Sequence, residues 1–387
     1  MKFIDEYLSD IKDKGLYREL KFFNRPQSKY TSIGNKRMLL MASNNYLDLC
    51  NDDRLKDAAE KAIHTYGVGS GGSRLTTGSY ELHDQLEKKI AIFKGTEAAI
   101  LFNTGYMANI GTITAIADKE WIIFSDALNH ASIIDGCRLS GAKIVVYKHC
   151  DMDDLQEKIK VYKGNKRFIV TDGVFSMDGD IAPLDKIVKL AKENNILTMV
   201  DDAHGTGVLG DNGTGCVEYF NLKGQVDIQL GTLSKALASE GGFVAGTKSL
   251  VTYLRHKARS FIYSTALSPA MIAVSLCSLD IVKNEKERRV KLLENSKWFQ
   301  WELRKLGFNV LESNTVIIAL VIGNAEKTIK LSEKLFEKGI FISAIRPPTV
   351  PEHTSRLRIT LMSSHNREEL KYVLDKLKEA GMELGII

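Results

Sequence analysis

No apolar run in this 387-residue sequence approaches the roughly 20 residues that a membrane span needs. The sequence therefore predicts no membrane segment. No two cysteines stand at C-x-x-C spacing: Cys50, Cys137, Cys150, Cys216 and Cys277 are scattered. That excludes a recognisable zinc or disulfide framework and predicts reduced thiols in the cytoplasm, with no metal. No strong excess of one charge is present. The net charge of +5 is spread along the chain, which argues against nucleic acid as a partner while suiting anionic substrates. There is no internal repeat and no low-complexity segment. The first fifteen residues, MKFIDEYLSDIKDKG, carry Asp5, Glu6, Asp10 and Asp13 among their apolar positions. They predict an amphipathic helix rather than a signal peptide.

What is present reads as a large globular protein. Hydrophobic residues make up 44% and charged residues 26% of the chain, and the length suits two or three lobes around a large core. An N-terminal helix and arm is predicted over 1–45, a large ligand-binding domain over 46–285 and a small C-terminal domain over 286–387. Within the large part, short apolar strands alternate with amphipathic helices. Strands are predicted at 98–102, 121–124, 143–147, 168–172, 197–201 and 226–230, with helices between them. This rhythm predicts a mostly parallel sheet covered on both faces. Ligands bind such sheets off the carboxyl ends of the strands. A long helical region over 269–306 leads to the small lobe, with strands at 315–322, 340–344 and 357–361 and helices at 325–338 and 367–380.

The chemistry concentrates in two strand ends. GTLSKALASEGG, from Gly231 to Gly242, places Lys235 in a tight turn of small residues. Lysine normally prefers open solvent. A partly desolvated lysine has a lowered pKa, and its neutral amine is a nucleophile toward a carbonyl. Upstream, an apolar strand runs into Asp201, Asp202 and His204. A carboxylate and a lysine at neighbouring strand ends match a pyridoxal-phosphate core, in which the carboxylate holds the pyridine nitrogen protonated and the lysine forms the Schiff base. The glycine run GVGSGGSRLTTGS before the helix at 82–93 permits close backbone approach to a ligand.

Five motifs occur in order: FNTGYMANIG, DALNHASIIDG, TDGVFSMDGD, VDDAHGTGVLG and GTLSKALASEGGFVAG. With them the chain resembles the α-oxoamine synthases, over nearly its whole length from GLYREL to RLRITL. These are pyridoxal 5'-phosphate enzymes of the aspartate-aminotransferase fold (fold type I) that condense an amino acid with an acyl-CoA thioester and lose CO2. The resemblance implies an α/β protein, with a large mostly parallel sheet domain and a smaller C-terminal α+β domain. It implies a cytoplasmic homodimer. Within the family, AIRPPTVP, from Ala344, and Arg18 point to the member reaction that joins L-alanine to pimeloyl-CoA, or a pimeloyl-carrier protein, giving 8-amino-7-oxononanoate for biotin synthesis. The alternatives are the same chemistry on glycine and acetyl-CoA, and a broad specificity covering both.

The resemblance also implies roles. Lys235 carries the cofactor and acts as the base at the amino-acid α-carbon. Asp201 pairs with the pyridinium nitrogen. His204 and Ser176 hydrogen-bond the phenolic oxygen, and His130 stacks on the ring. Gly105 and Tyr106 open a helix toward the phosphate, since a helix N-terminus offers free N–H groups. Thr232 adds a hydroxyl, and Thr265 reaches the phosphate across a dimer interface. Arg346 and Thr349 bind the amino-acid carboxylate, Asn44 lies near the substrate, and Arg18 serves the acyl carboxylate. Arg356 and Arg358 share one face of a strand and are a second arginine option. Two positions depart from the family pattern: Asp48, with Asn45, in SNNYLDL, and Ala238 after the lysine. Asp48 and Ala238 each stand where glycine is usual.

Overall fold

The computed structural model describes every residue except Gly15, Leu16 and Arg18. The sequence opens with the helix Lys2–Asp13, which buries none of its residues. Strands β1 (Tyr30–Ile33) and β2 (Lys36–Leu40) follow as a hairpin. All six strands predicted for the large part then form: β3 (Ala98–Phe102), β4 (Ile122–Asp126), β5 (Lys143–Tyr147), β6 (Arg167–Asp172), β7 (Leu197–Asp201) and β8 (Ile228–Thr232). A seventh, β9 (Gly242–Gly246), joins them in the order β3-β9-β8-β7-β6-β4-β5. The pairings from β8 through to β5 are parallel, and β9 runs antiparallel to both neighbours.

The extra strand escapes pattern reading because it carries only three apolar side chains between two glycines, and glycine is depleted in strands. Its glycine has a reason. A Cβ on Gly242 would sit 2.7 Å from the amide nitrogen of Gly105. The bare backbone lets β9 pass against the start of the helix Gly105–Ile116, and so brings that helix end beside the β8–β9 turn.

The parallel strands are buried almost throughout, as sheets covered on both faces require. Phe168, Ile169, Val170, Val200, Ile228 and Leu230 are all completely buried. The strands end at Asp126, Asp172, Asp201 and Thr232, which lines up polar side chains along one edge. Asp172 and Asp201 are direct register partners on β6 and β7.

The predicted long helical region is two helices, Pro269–Asn284 and Lys286–Lys305, that meet at Glu285. Beyond them, β10 (Ile317–Gly323), β13 (Ser355–Thr360) and β12 (Ser343–Ile345) form an antiparallel sheet in that order. The helices Ala325–Glu337 and Arg367–Glu383 accompany it. The predicted strand at 340–344 divides, and its first part, β11 (Ile340–Phe341), pairs in parallel with β2. The N-terminal arm is thereby tied to the C-terminal part of the chain. Among the described residues, no helix is long and apolar enough to cross a membrane.

Candidate active site

Lys235 stands at the tip of the turn between β8 and β9. Leu233 N–H donates to Gly241 O at 2.9 Å, and Ala238 N–H donates to Lys235 O at 3.0 Å. The buried Thr232 hydroxyl donates to Gly241 O at 2.8 Å and lies 2.7 Å from Ser234 Oγ. The turn is thus closed by its own backbone and hydroxyls. Burial lowers the pKa of the Lys235 amine, and the Arg358 charge adds to this; Asp201 and Asp172 oppose both. An amine made less basic by burial, beside acidic side chains, is the setting a Schiff-base lysine requires.

Asp201 is buried at the end of β7. Its two oxygens accept from Asn109 Nδ2 at 2.6 Å and from the Ala203 amide at 3.0 Å. Next to it, Asp172 accepts the His130 amide at 2.6 Å. Burial pushes the Asp172 carboxyl well above the usual range, and the Asp201 charge pushes it further. Two buried carboxyls on neighbouring strand ends do not both ionise readily.

His204 is buried behind the lysine, with Nδ1 2.7 Å from the hydroxyl of Tyr46. Burial holds its pKa well below the ordinary value, and the charges of Lys235, Arg358 and His130 act in the same direction. His130 caps the helix Ala131–Ser140, with Nδ1 2.7 Å from Ser132 Oγ. Partial loss of hydration lowers its pKa, Asp201 opposes this and Lys235 adds to it.

The helix Gly105–Ile116 opens beside Thr232: a Cβ on Gly105 would lie 3.4 Å from Thr232 Cβ. The first amides of a helix have no intrahelical acceptor. Thr104 Oγ1 takes up that of Met107 at 3.0 Å, which leaves those of Gly105 and Tyr106 to an outside anion. The Tyr106 hydroxyl donates to Asp135. Thr265 is exposed; its backbone bridges to Ser73, and its carbonyl accepts from Asn103 Nδ2 at 2.5 Å, so it sits near this helix end in its own chain. The cluster offers an amine of lowered basicity, a buried carboxylate, free helix amides and a buried hydroxyl. These residues fit a phosphorylated aromatic aldehyde with a basic ring nitrogen.

The arginines fall differently from the sequence expectation. Arg346 donates to the carbonyl of Tyr17 at 3.0 Å. Thr349 is exposed in the turn that follows, its amide 3.1 Å from Arg346 O. Arg358 is the arginine brought to the cluster. Its Nε donates to Ser176 O and its Nη2 to Asn44 Oδ1 at 3.3 Å. The register explains this. Ser343 pairs with Arg358 and Ile345 with Arg356, so Arg346 lies past the end of the ribbon while Arg358 lies inside it. Arg356 is ion-paired with Asp178. Arg18 lies outside the described residues. Asp48 and Ala238, at the usual glycine positions, both keep left-handed backbone, with φ of 53° and 52°.

Sequence reading missed Tyr46, Asn109 and Asp172. Each had a local signal. Tyr46 is two residues from Asn44, Asn109 lies one helical turn beyond Gly105, and Asp172 ends a predicted strand in the register of Asp201.

Residues 36–377 match the family model described as aminotransferase class I and II. The chain is 57% identical over 380 residues to a putative 8-amino-7-oxononanoate synthase of Acetivibrio thermocellus, covering 98% of each chain. It is 51% identical to the 8-amino-7-oxononanoate synthase of Lysinibacillus sphaericus, again covering 98% of each. Among solved structures it is similar to SPT with a PLP internal aldimine, with a TM-score of 0.95 and 30% identity over 99% of this chain and 98% of that one. The chain belongs to the class I and II aminotransferase family and has the fold type I architecture of its pyridoxal-phosphate enzymes.

Proposed function

We propose that this family member is a pyridoxal-phosphate-dependent acyltransferase that condenses L-alanine with a pimeloyl thioester, on CoA or a carrier protein, to give 8-amino-7-oxononanoate, the free thiol and CO2. In balance, a bond forms between the alanine α-carbon and the thioester carbonyl. The C–S bond breaks with release of thiol, and the alanine carboxylate leaves as CO2. Full-length similarity to proteins named for this product supports the reading. The observation that carries it is the convergence of Arg358, Asn44 and the buried Lys235 amine: a carboxylate-binding fork beside a nucleophilic nitrogen.

Bound pyridoxal phosphate supplies the electron sink that stabilises a carbanion at the amino-acid α-carbon. The chain's residues do the rest. Lys235 Nζ, made less basic by burial, holds the cofactor and then takes the α-proton from alanine. Asp201 keeps a proton on the ring nitrogen. His204 and Ser176 bind the phenolic oxygen, and His130 covers the ring face. The Gly105 and Tyr106 amides and the Thr232 hydroxyl bind the phosphate, with Thr265 of a second subunit as a further donor in a homodimer. Arg358 takes the amino-acid carboxylate, because its planar fork makes two hydrogen bonds with one carboxylate. Arg346 and Thr349, at the outer end of the ribbon, and Arg18 are left for the carboxylate that ends the pimeloyl chain. We further propose that the enzyme works in the cytoplasm.

The test is thiol release by cofactor-loaded protein with alanine or glycine, each paired with pimeloyl-CoA or acetyl-CoA. Release mainly from alanine and pimeloyl-CoA is the expected result. Release mainly from glycine and acetyl-CoA would move the enzyme to the reaction giving 2-amino-3-ketobutyrate. Comparable release from both pairs would establish the broad specificity.

A further inference from the structure

Outside the cluster around Lys235, one histidine is clamped between two carboxylates. His149 follows β5. Its Nδ1 lies 2.9 Å from Asp126 Oδ1, at the end of β4, and its Nε2 lies 2.8 Å from Asp180 Oδ2. An ionised carboxylate only accepts, so a ring that meets one at each nitrogen donates from both and is an imidazolium. Neither nitrogen then has a lone pair for a metal. Asp126 is itself fixed: its side chain is 1% exposed, and it accepts the amides of Leu128 at 2.8 Å and Cys150 at 2.9 Å. The ring also packs edge-on against Phe175, with centroids 4.4 Å apart.

Asp180 and Phe175 belong to a tight hairpin over 173–182. Phe175 N–H donates to Asp180 O at 3.0 Å, Gly179 N–H to Phe175 O at 2.8 Å and Ala182 N–H to Gly173 O at 3.0 Å. On its other side this hairpin holds the small lobe. The Ser176 carbonyl accepts Arg358 Nε, and Asp178 pairs with Arg356. Gly179 O accepts the hydroxyls of Ser313 at 2.7 Å and Thr315 at 2.8 Å. The hairpin is therefore a bracket between the sheet edge and the arginine strand: its base continues from β6, with Gly173 N–H donating to Asp201 O at 2.7 Å, and His149 ties its Asp180 side to Asp126.

We propose that His149 is a positioning residue for amino-acid binding: by bridging Asp126 and Asp180 it fixes the 173–182 hairpin, and through the Ser176 carbonyl it sets where the Arg358 guanidinium meets the substrate carboxylate. This rests on the reading of Arg358 given above. A displacement of an ångström at a binding arginine is enough to alter affinity severely. His149 touches neither cofactor nor substrate, so its loss acts on amino-acid affinity and leaves the cofactor in place.

The experiment compares cofactor-loaded wild type with His149→Gln and with Asp180→Asn, which cuts the same link from the hairpin side. L-alanine binding is followed by the visible absorbance change without acyl donor, steady-state kinetics are measured, and amide exchange is followed across 173–182. The expected result is a roughly tenfold weaker alanine affinity and higher alanine KM in both variants. The thioester KM and the cofactor band should match wild type, and the Gly179 and Ala182 amides should exchange faster. Unchanged alanine affinity in both variants overturns the proposal, whatever the exchange shows. A wild-type protein that responds to neither alanine nor glycine refutes the functional reading instead. The bridge is then judged by exchange alone: faster exchange in the variants supports it, and unchanged exchange overturns it.

Discussion

The hydroxyl of Tyr46 lies 2.7 Å from Nδ1 of His204, joining residues 158 positions apart in sequence. The same hydroxyl lies 3.1 Å from Asn44 Oδ1, so one tyrosine ties the His204 ring to the Asn44 side chain. In a buried site, a hydrogen bond contributes about 0.5–1.5 kcal/mol net. Tyr46→Phe is expected to lower kcat about tenfold with little change in thermal stability. Steady-state kinetics beside a thermal melt checks this.

Arg358, inside the ribbon, and Arg346, past its end, should separate by substrate. Arg358→Lys keeps a charge but loses the fork that binds a carboxylate twice. The expected effect is a rise of roughly 10- to 100-fold in the KM for alanine, from the loss of a charged hydrogen bond worth about 1.5–3 kcal/mol. Arg346→Gln should leave the alanine KM nearly unchanged and raise the KM for pimeloyl-CoA without raising that for acetyl-CoA. Kinetics with each substrate varied in turn would show it. An alanine KM that responds to Arg346 and not to Arg358 would reverse the assignment.

Beneath the site, Lys94 and Asp202 form an ion pair at 2.7 Å with no exposure of either side chain. Lys94 also donates to Thr206 Oγ1 at 3.0 Å and Thr214 O at 2.6 Å, which ties the loop after Asp201 to the core. Removing one partner of such a pair leaves an uncompensated buried charge, which costs about 3–5 kcal/mol. Lys94→Met should lose that much in urea unfolding. The double variant Lys94→Met/Asp202→Leu should recover part of the loss but not all, because the Cys216 amide, 3.1 Å from Asp202 Oδ1, loses its acceptor.

Two of the left-handed residues, Ala238 and Asp48, make a contrasting pair. Ala238, at φ 52°, holds a conformation that costs an L-residue about 1–2 kcal/mol. Ala238→Gly is expected to raise the unfolding free energy by about 1 kcal/mol. Asp48, at φ 53°, accepts from Asn45 Nδ2 and Ser28 Oγ, both at 3.2 Å. Asp48→Gly gives up those bonds, so its gain should be offset and stability should change little. Denaturant melts of the two variants settle the contrast.

His149 carries a pH signature. Burial lowers its pKa, but the hydrogen bonds to Asp126, Asp180 and Cys150 outweigh burial and raise it to about 12. The groups facing it from β4, the hairpin and its own loop are these three. The folded value lies above the unfolded value of about 6.5. The stabilisation is therefore complete below pH 6.5 and is lost as pH rises toward 12. Between those values wild type should lose stability relative to His149→Gln by up to about 1.4 kcal/mol per pH unit. Unfolding free energies at several pH values between 7 and 9 measure that slope.

Much of this molecule was legible in sequence because its signals are local. Alternating apolar runs and amphipathic helices set six strands of the large sheet. Lys235 in its small-residue turn, and Asp201 with His204 at a strand end, announced the cofactor chemistry within a few residues each. β9 was hidden because its glycines answer to a neighbour, the helix end at Gly105, and not to strand propensity. That Arg358, and not Arg346, lies inside the ribbon beside Ser176 and Asn44 depended on the register of β12 against β13. Pairings such as Tyr46 with His204, Asn109 with Asp201 and His149 with Asp126 and Asp180 exist only once distant strand ends meet. The sequence by itself determined which functional groups the protein has and, to within two residues, where the six predicted strands of its large sheet end. Only the tertiary structure decided which of those groups face one another, because hydrogen bonds and charge interactions depend on distances of a few ångströms that residue spacing does not encode.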